Sequence, residues 1–341
     1  MTGVPPLVDA FGRQVEYLRV SLTDRCNYRC VYCMPAAGLP WLRRADVLTD
    51  DEVVEVVRQL AELGLRRVRL TGGEPTLRPT LVSLVARLRA LGALDDLSLS
   101  TNGVRLAALA PALAGAGLDR VNVSVDSLDP ARAARIARRD LGFEPVAALD
   151  AAERAGLGPV KVNVVLMRGI NDDELERLAE LTVARPWHVR FIELMPVGEL
   201  AEQLAAEGEA PDALVVPSGE VVDRLARLGR RIGRPVAAAT GPARGNGPAR
   251  YRRFDGAAGT VGVITPMTHT YCGSCNRVRL TADGRLRPCL YGDGEVDLRS
   301  ALRAGEPLAP LVARALAEKP REHVLLARRV GGLRALSQVG G

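Results

Sequence analysis

Lysine is nearly absent from this 341-residue chain: of its 46 basic residues only Lys161 and Lys319 are lysine, and arginine fills the other positions. A lysine here is therefore not a default surface filler. Lys161 lies in the apolar run PVKVNVVLM, where the ordinary reading is a side chain snorkelling from a strand end and the sharper one a buried functional cation. Aromatic residues are also scarce, at 4%, and no basic run is concentrated. Both features exclude a nucleic-acid binder, which needs stacking platforms and a dense basic face. The net charge of +6 fits an anionic substrate without requiring one. No segment approaches the roughly 20 apolar residues that cross a bilayer, and MTGVPPLVDAFGR has no signal-peptide core. The expectation is a cytoplasmic protein with no membrane partner. Thiols stay reduced there, so six cysteines in two tight groups read as metal ligands rather than disulfides.

A hydrophobic content of 47% allows one large domain plus an appendage. Short β-branched runs at 17–23, 66–71, 97–100, 120–125, 160–167 and 188–194 read as buried strands. Helical patterns at 50–64, 77–92, 105–116, 143–156 and 172–184 separate them. This alternation implies crossover connections and a parallel sheet, and six such units give an incomplete barrel. Composition changes after Met195, a helix is expected near 218–230, and 236–250 reads as a flexible Gly/Pro/Ala loop. Beyond Tyr251 the pattern is compact again, with strands at 259–265 and 276–281 and two closing helices. The expected division is a partial barrel over 1–235 and a smaller C-terminal domain over 236–341.

The first cysteine group, CNYRCVYC, places Cys26, Cys30 and Cys33 directly after the first strand. Three thiolates hold a cubane cluster with one iron left open, to which S-adenosylmethionine can bind as the source of a 5′-deoxyadenosyl radical. A closed zinc site would need a fourth Cys or His ligand, and no histidine lies nearby. The other strand ends carry TGGEP (71–75), STNG (100–103), NVSVDS (122–127) and ELMP (193–196). Active sites of βα barrels lie at that rim. The second group has Cys272 and Cys275 in YCGSCNRVRL, with Cys289 following a hairpin that turns at ADG (282–284). His269 could complete a zinc site there. Alternatively, Arg277 and Arg279, on one face of a strand, could serve a polyanion beside a cluster.

Taken together, YLRVSLTDRCNYRCVYC, RVRLTGGEPTLR, STNG, NVSVDSL, KVNVV, FIELMPVG, CGSCNRVRLTADGRLRPCL and the terminal SQVGG resemble the GTP 3′,8-cyclase family of radical S-adenosylmethionine enzymes. The resemblance covers nearly the whole chain. It implies an α/β fold, an incomplete (β/α)6 TIM-like barrel whose C-terminal part carries a second iron–sulfur cluster. It also implies two [4Fe–4S] clusters, on Cys26, Cys30 and Cys33 and on Cys272, Cys275 and Cys289. Tyr32, Gly73, Ser124 and Met195 would contact S-adenosylmethionine. Arg19, Arg69, Ser100, Lys161, Arg277, Val278 and Arg279 would meet GTP. Arg277 and Arg279, with Gly340 and Gly341 of the tail, would serve catalysis. Ser100 stands where the family more often has threonine. The implied partners are a flavodoxin- or ferredoxin-like reductant and a cyclic pyranopterin monophosphate synthase that takes the product. The chain would act as a monomer or homodimer, without nucleic acid.

Overall fold

The structure is a computed structural model and describes residues 7–195, 200, 204, 206, 208–210, 212–242, 247–292, 294–323 and 334–339. Six strands follow one another in sequence and in space: β1 (Tyr17–Ser21), β2 (Arg67–Thr71), β3 (Asp96–Thr101), β4 (Arg120–Ser124), β5 (Lys161–Leu166) and β6 (His188–Glu193), each parallel to the next. Helices α1 (Asp50–Glu62), α2 (Leu81–Ala90), α3 (Leu106–Gly115), α4 (Pro130–Ala137), α5 (Pro145–Arg154) and α6 (Leu175–Ala184) make the crossovers, and α7 (Ser218–Arg231) follows β6. The start of α1 is set locally: Thr49 and Glu52 form a capping box, and acidic residues fill the first turn. Val53, Val56, Val57 and Leu60 recur at helical spacing and bury one stripe against the sheet.

Alternation along the strands separates two environments. Leu18, Val20, Val68, Leu70, Leu97, Leu99, Val121, Val123, Val162, Val164, Val189 and Phe191 face the helices and form the hydrophobic core. The intervening positions are Tyr17, Arg19, Arg69, Ser98, Arg120, Asn122, Lys161, Asn163, His188 and Arg190, and they share the opposite face. That face is rolled inward. Five strand steps separate β1 from β6, about 24 Å across a flat sheet, yet Arg190 interacts electrostatically with Tyr17 and Arg19. The amide oxygen of Asn122, oriented toward the guanidinium groups, accepts from both Arg69 and Arg190. The result is a partial barrel with a polar interior.

The C-terminal region extends this sheet rather than forming one of its own. Strands β9 (Thr260–Ile264) and β10 (Arg277–Leu280) add in parallel beside β6 and β1. Antiparallel β8 (Arg250–Phe254) and β7 (Val236–Ala239) continue one edge, β11 (Arg285–Arg287) and β12 (Val296–Asp297) the other. The expectation of a loop throughout 236–250 is corrected here: Val236–Ala239 is an edge strand and Arg250 opens β8. Small residues without an apolar rhythm can still pair through backbone ladder bonds at an exposed edge. The hairpin at 282–284 is present, with Gly284 at φ +79°. Helices α8 (Leu298–Arg303) and α9 (Ala309–Ala317) follow β12, and a single 3-10 turn (Leu336–Gln338) lies in the tail. Among the described residues, no helix is long and apolar enough to cross a membrane.

Candidate active site

At the C-terminal ends of the strands lies a cavity of about 230 Å³. Cys26, Cys30 and Cys33 line it, and so do Tyr32, Gly73, Ser100, Ser124 and Met195. Tyr32, Gly73, Ser124 and Met195, the residues expected to contact S-adenosylmethionine, come from four separate stretches of chain and share one space with the three cysteines and with Ser100, expected at GTP. Adjacent glycines follow from close packing: a Cβ on Gly73 would lie 2.1 Å from the Arg25 carbonyl oxygen, and one on Gly72 2.4 Å from that of Thr23. Glu74 turns back beneath this loop and accepts from the Thr101 hydroxyl (2.7 Å) and the Asn102 amide (2.8 Å), which binds TGGEP to STNG. Tyr32 donates to Asp126 at 2.6 Å, and burial lifts the Asp126 carboxyl to about 6.

Burial pushes the Cys26 thiol up to about 11 and Cys33 to about 12, and Cys30 shifts the same way. The sulfurs nevertheless face donors suited to thiolates. The Tyr28 amide reaches Cys26 at 3.4 Å and the backbone N–H of Ser337 donates to Cys33, while the Tyr32 hydroxyl, committed to Asp126, lies beside Cys30. Three mutually interacting thiols ringed by N–H and O–H groups fit a cubane cluster, whose cationic irons would favour the thiolate forms. The second set is gathered likewise, since Cys272 interacts with both Cys275 and Cys289. Burial raises the Cys275 thiol, but Arg277 and Lys319 outweigh it and bring the group to about 7. Among the described residues no three His, Cys, Asp or Glu side chains converge to hold a single ion. The alternative zinc site with His269 therefore has no tetrahedral ligand set among them.

The rolled face of the sheet supplies the expected anion site. Arg279, Arg19 and Arg69 are aligned in register across β10, β1 and β2. Burial, then Arg279, lowers Arg19 to about 9, and burial first of all lowers Arg69 as well. Lys161 is 2% exposed. Burial, then Arg120, Arg190 and Arg69, depresses it to about 5. Arg277 lies over the Tyr271 ring, 5.0 Å from its centroid. Val278 directs its side chain into the hydrophobic core and leaves only its backbone to the site. Two interior cations escaped the sequence analysis, Arg120 and Arg190. Their signal was present in the alternation of RVNVS and HVRFIE, but in an arginine-rich chain nothing separated them from surface residues. Arg120 pairs with a buried acid, Asp96. So many like charges in a low-dielectric interior are costly alone and complementary to a polyanion.

The tail reaches the same place. Leu336 and Ser337 line the cavity, and Arg279 donates to the Val339 carbonyl at 3.1 Å. Arg334 anchors the segment on Asp283 and Glu295. Gly340 and Gly341 lie outside the described residues.

Two family models match in succession, "Radical SAM superfamily" over 20–182 and "Molybdenum Cofactor Synthesis C" over 187–325. A GTP 3′,8-cyclase of Moorella thermoacetica is 47% identical over 98% of this chain and 99% of its own length. That of Heliobacterium modesticaldum is 44% identical over 98% and 100%. Among solved structures, Streptococcus suis SuiB bound to S-adenosylmethionine matches with a TM-score of 0.53 at 12% identity, over 88% of this chain and 65% of that one, a likeness of fold alone. This chain thus spans just under two thirds of the SuiB chain's length. With such identity over nearly its full length, the chain belongs to the GTP 3′,8-cyclase family of the radical S-adenosylmethionine superfamily.

Proposed function

We propose that this protein converts GTP to (8S)-3′,8-cyclo-7,8-dihydroguanosine 5′-triphosphate, the first step of molybdenum cofactor biosynthesis. Its family membership implies two [4Fe–4S] clusters and S-adenosylmethionine. The observation that carries the reading is that the cysteine-lined cavity and the cationic barrel interior share a wall: Asn163 lines the cavity and accepts from Arg190. The first cluster, when bound and reduced, supplies the electron that splits S-adenosylmethionine into methionine and a 5′-deoxyadenosyl radical.

The chain's own residues bind and orient. Tyr32, Gly73, Ser124 and Met195 would border S-adenosylmethionine beside Cys26, Cys30 and Cys33. Arg19, Arg69, Lys161, Arg277 and Arg279 would hold the triphosphate and guanine through charge-assisted bonds, with Ser100 and the Val278 backbone beside them. Arg190 joins that set because it shares Asn122 with Arg69. Cys272, Cys275 and Cys289 would hold the second cluster at the other side of the substrate. In this division residues 1–235 would generate the radical, 236–341 would orient the base and close the mouth, and Gly340 and Gly341 would serve catalysis. The electron would come from a flavodoxin- or ferredoxin-like protein, and the product would pass to a cyclic pyranopterin monophosphate synthase, all in the cytoplasm.

The test is anaerobic incubation with GTP, S-adenosylmethionine and dithionite, followed by mass analysis. Cyclised GTP together with 5′-deoxyadenosine is expected. 5′-Deoxyadenosine without any GTP-derived product would overturn the substrate assignment.

A further inference from the structure

Lys319 shares its rarity with Lys161 but lies elsewhere, at the second cysteine group. It is 2% exposed. Its ammonium donates to the Cys275 sulfur at 3.5 Å, to the Arg277 carbonyl at 2.8 Å and to the Pro288 carbonyl at 2.6 Å. An ammonium has three donors and no acceptor, so this set uses all three. The two carbonyls flank different ligands: Arg277 follows Cys275 by two residues, and Pro288 immediately precedes Cys289. One side chain therefore ties the Cys272–Cys275 turn to the strand that delivers Cys289. A planar guanidinium spreads its donors in a fork and cannot converge them on such a pyramidal site. In a chain that otherwise uses arginine, lysine at this position answers a geometric demand.

The same short segment also serves the Cys272 sulfur. The backbone N–H of His323 donates to Cys272, while its Nε2 lies 3.1 Å from the Pro266 carbonyl oxygen. At the first cysteine group the surroundings are of opposite sign. The Asp126 carboxyl acts on Cys30, and on Cys26 the Glu74 carboxyl outweighs the Arg29 guanidinium.

Hydrogen bonds to sulfur, net charge and solvent exposure set the potential of an iron–sulfur cluster. A buried cation on a ligand sulfur favours the added electron. We propose that Lys319 is a positioning residue of the second cluster, clamping its two ligand segments together and holding its reduction potential above that of the first. This rests on the assignment of Cys272, Cys275 and Cys289 as ligands.

The experiment uses full-length protein with Cys26, Cys30 and Cys33 replaced by alanine, so that only the second cluster is present, reconstituted anaerobically and titrated with electron paramagnetic resonance detection. Lys319→Gln retains an N–H donor and removes the charge. The expected result is a cluster whose reduced-to-oxidised ratio at fixed potential falls at least tenfold, equivalent to 59 mV for a one-electron couple. Lys319→Arg is expected to bind less iron, while the cluster that forms keeps a potential near the parent's. If Lys319→Gln abolishes assembly, the clamp is supported, and Lys319→Arg then carries the potential measurement. Full iron content in Lys319→Gln with an unchanged potential would overturn the proposal. If the parent without Lys319 substitution binds no iron or sulfide, the ligand assignment itself fails, and that outcome is distinguishable.

Discussion

Asp96 and Arg120 meet as a bidentate pair inside the barrel, Nε to Oδ1 at 2.8 Å and Nη2 to Oδ2 at 2.5 Å, with the side chains 6% and 1% exposed. They sit on neighbouring strands and form a neutral unit amid cations. Removing the acid strands a buried guanidinium among like charges. Asp96→Asn should destabilise the fold by about 3–5 kcal/mol, read as a lower urea midpoint. A midpoint within error of the parent's would show that solvent or Asn122 takes over the pairing.

Lys161, held down at about 5, is neutral near pH 7.5 in the ligand-free protein. A triphosphate nearby favours its charged form, so GTP binding should take up a proton. The sign follows directly: free and neutral, bound and charged, the site loses affinity as pH rises, by up to about tenfold per unit. Calorimetry in buffers of different ionisation enthalpy measures the uptake, and Lys161→Met should remove it. Equal binding enthalpies across buffers for the parent protein would refute this.

Gly73→Ala places a methyl against the Arg25 carbonyl, 2.1 Å from its oxygen and 2.5 Å from its carbon. Backbone must shift on one side, at about 1–3 kcal/mol. The loop that moves borders the cysteine cavity, so S-adenosylmethionine binding should weaken about tenfold or more. Equilibrium dialysis checks it. Unchanged binding would mean that the loop does not border the ligand.

Cys30→Ser should leave the second cluster assembled and abolish 5′-deoxyadenosine formation, because the residues proposed to contact S-adenosylmethionine share the cavity of the first group. Iron analysis and chromatography of the nucleoside products settle the point together. Cleavage at the parent rate would reassign the radical-generating site.

The six central strands and both cysteine groups were legible because each has a strong local signal, β-branched alternation for one and thiol spacing for the other. Rim residues such as Gly73 and Ser124 were legible through their place at strand ends. What escaped depended on partners distant in sequence. α4 (Pro130–Ala137) carried too little apolar periodicity to be noticed, yet its Ile136 and Ala137 line the cavity. β7 and β8 are strands by virtue of each other. No pattern in NRVRLT said that it would lie beside β1, and Lys319 could be singled out as rare but not placed.

That placement of β10 and β9 bears on how the chain comes to be folded. β1 and β6 are interior strands only because residues 260–280 come back to cover them. On the ribosome, the first six strands emerge well before their covers. At roughly 5–20 residues per second, the interval between β6 and β10 lasts on the order of ten seconds. Throughout it the nascent sheet has two apolar-backed edges with unpaired backbone groups, the kind of edge that templates aggregation. A message truncated near residue 235 would leave those edges open permanently. This enzyme should therefore depend on chaperones during synthesis more than its many local helix–strand contacts alone would imply.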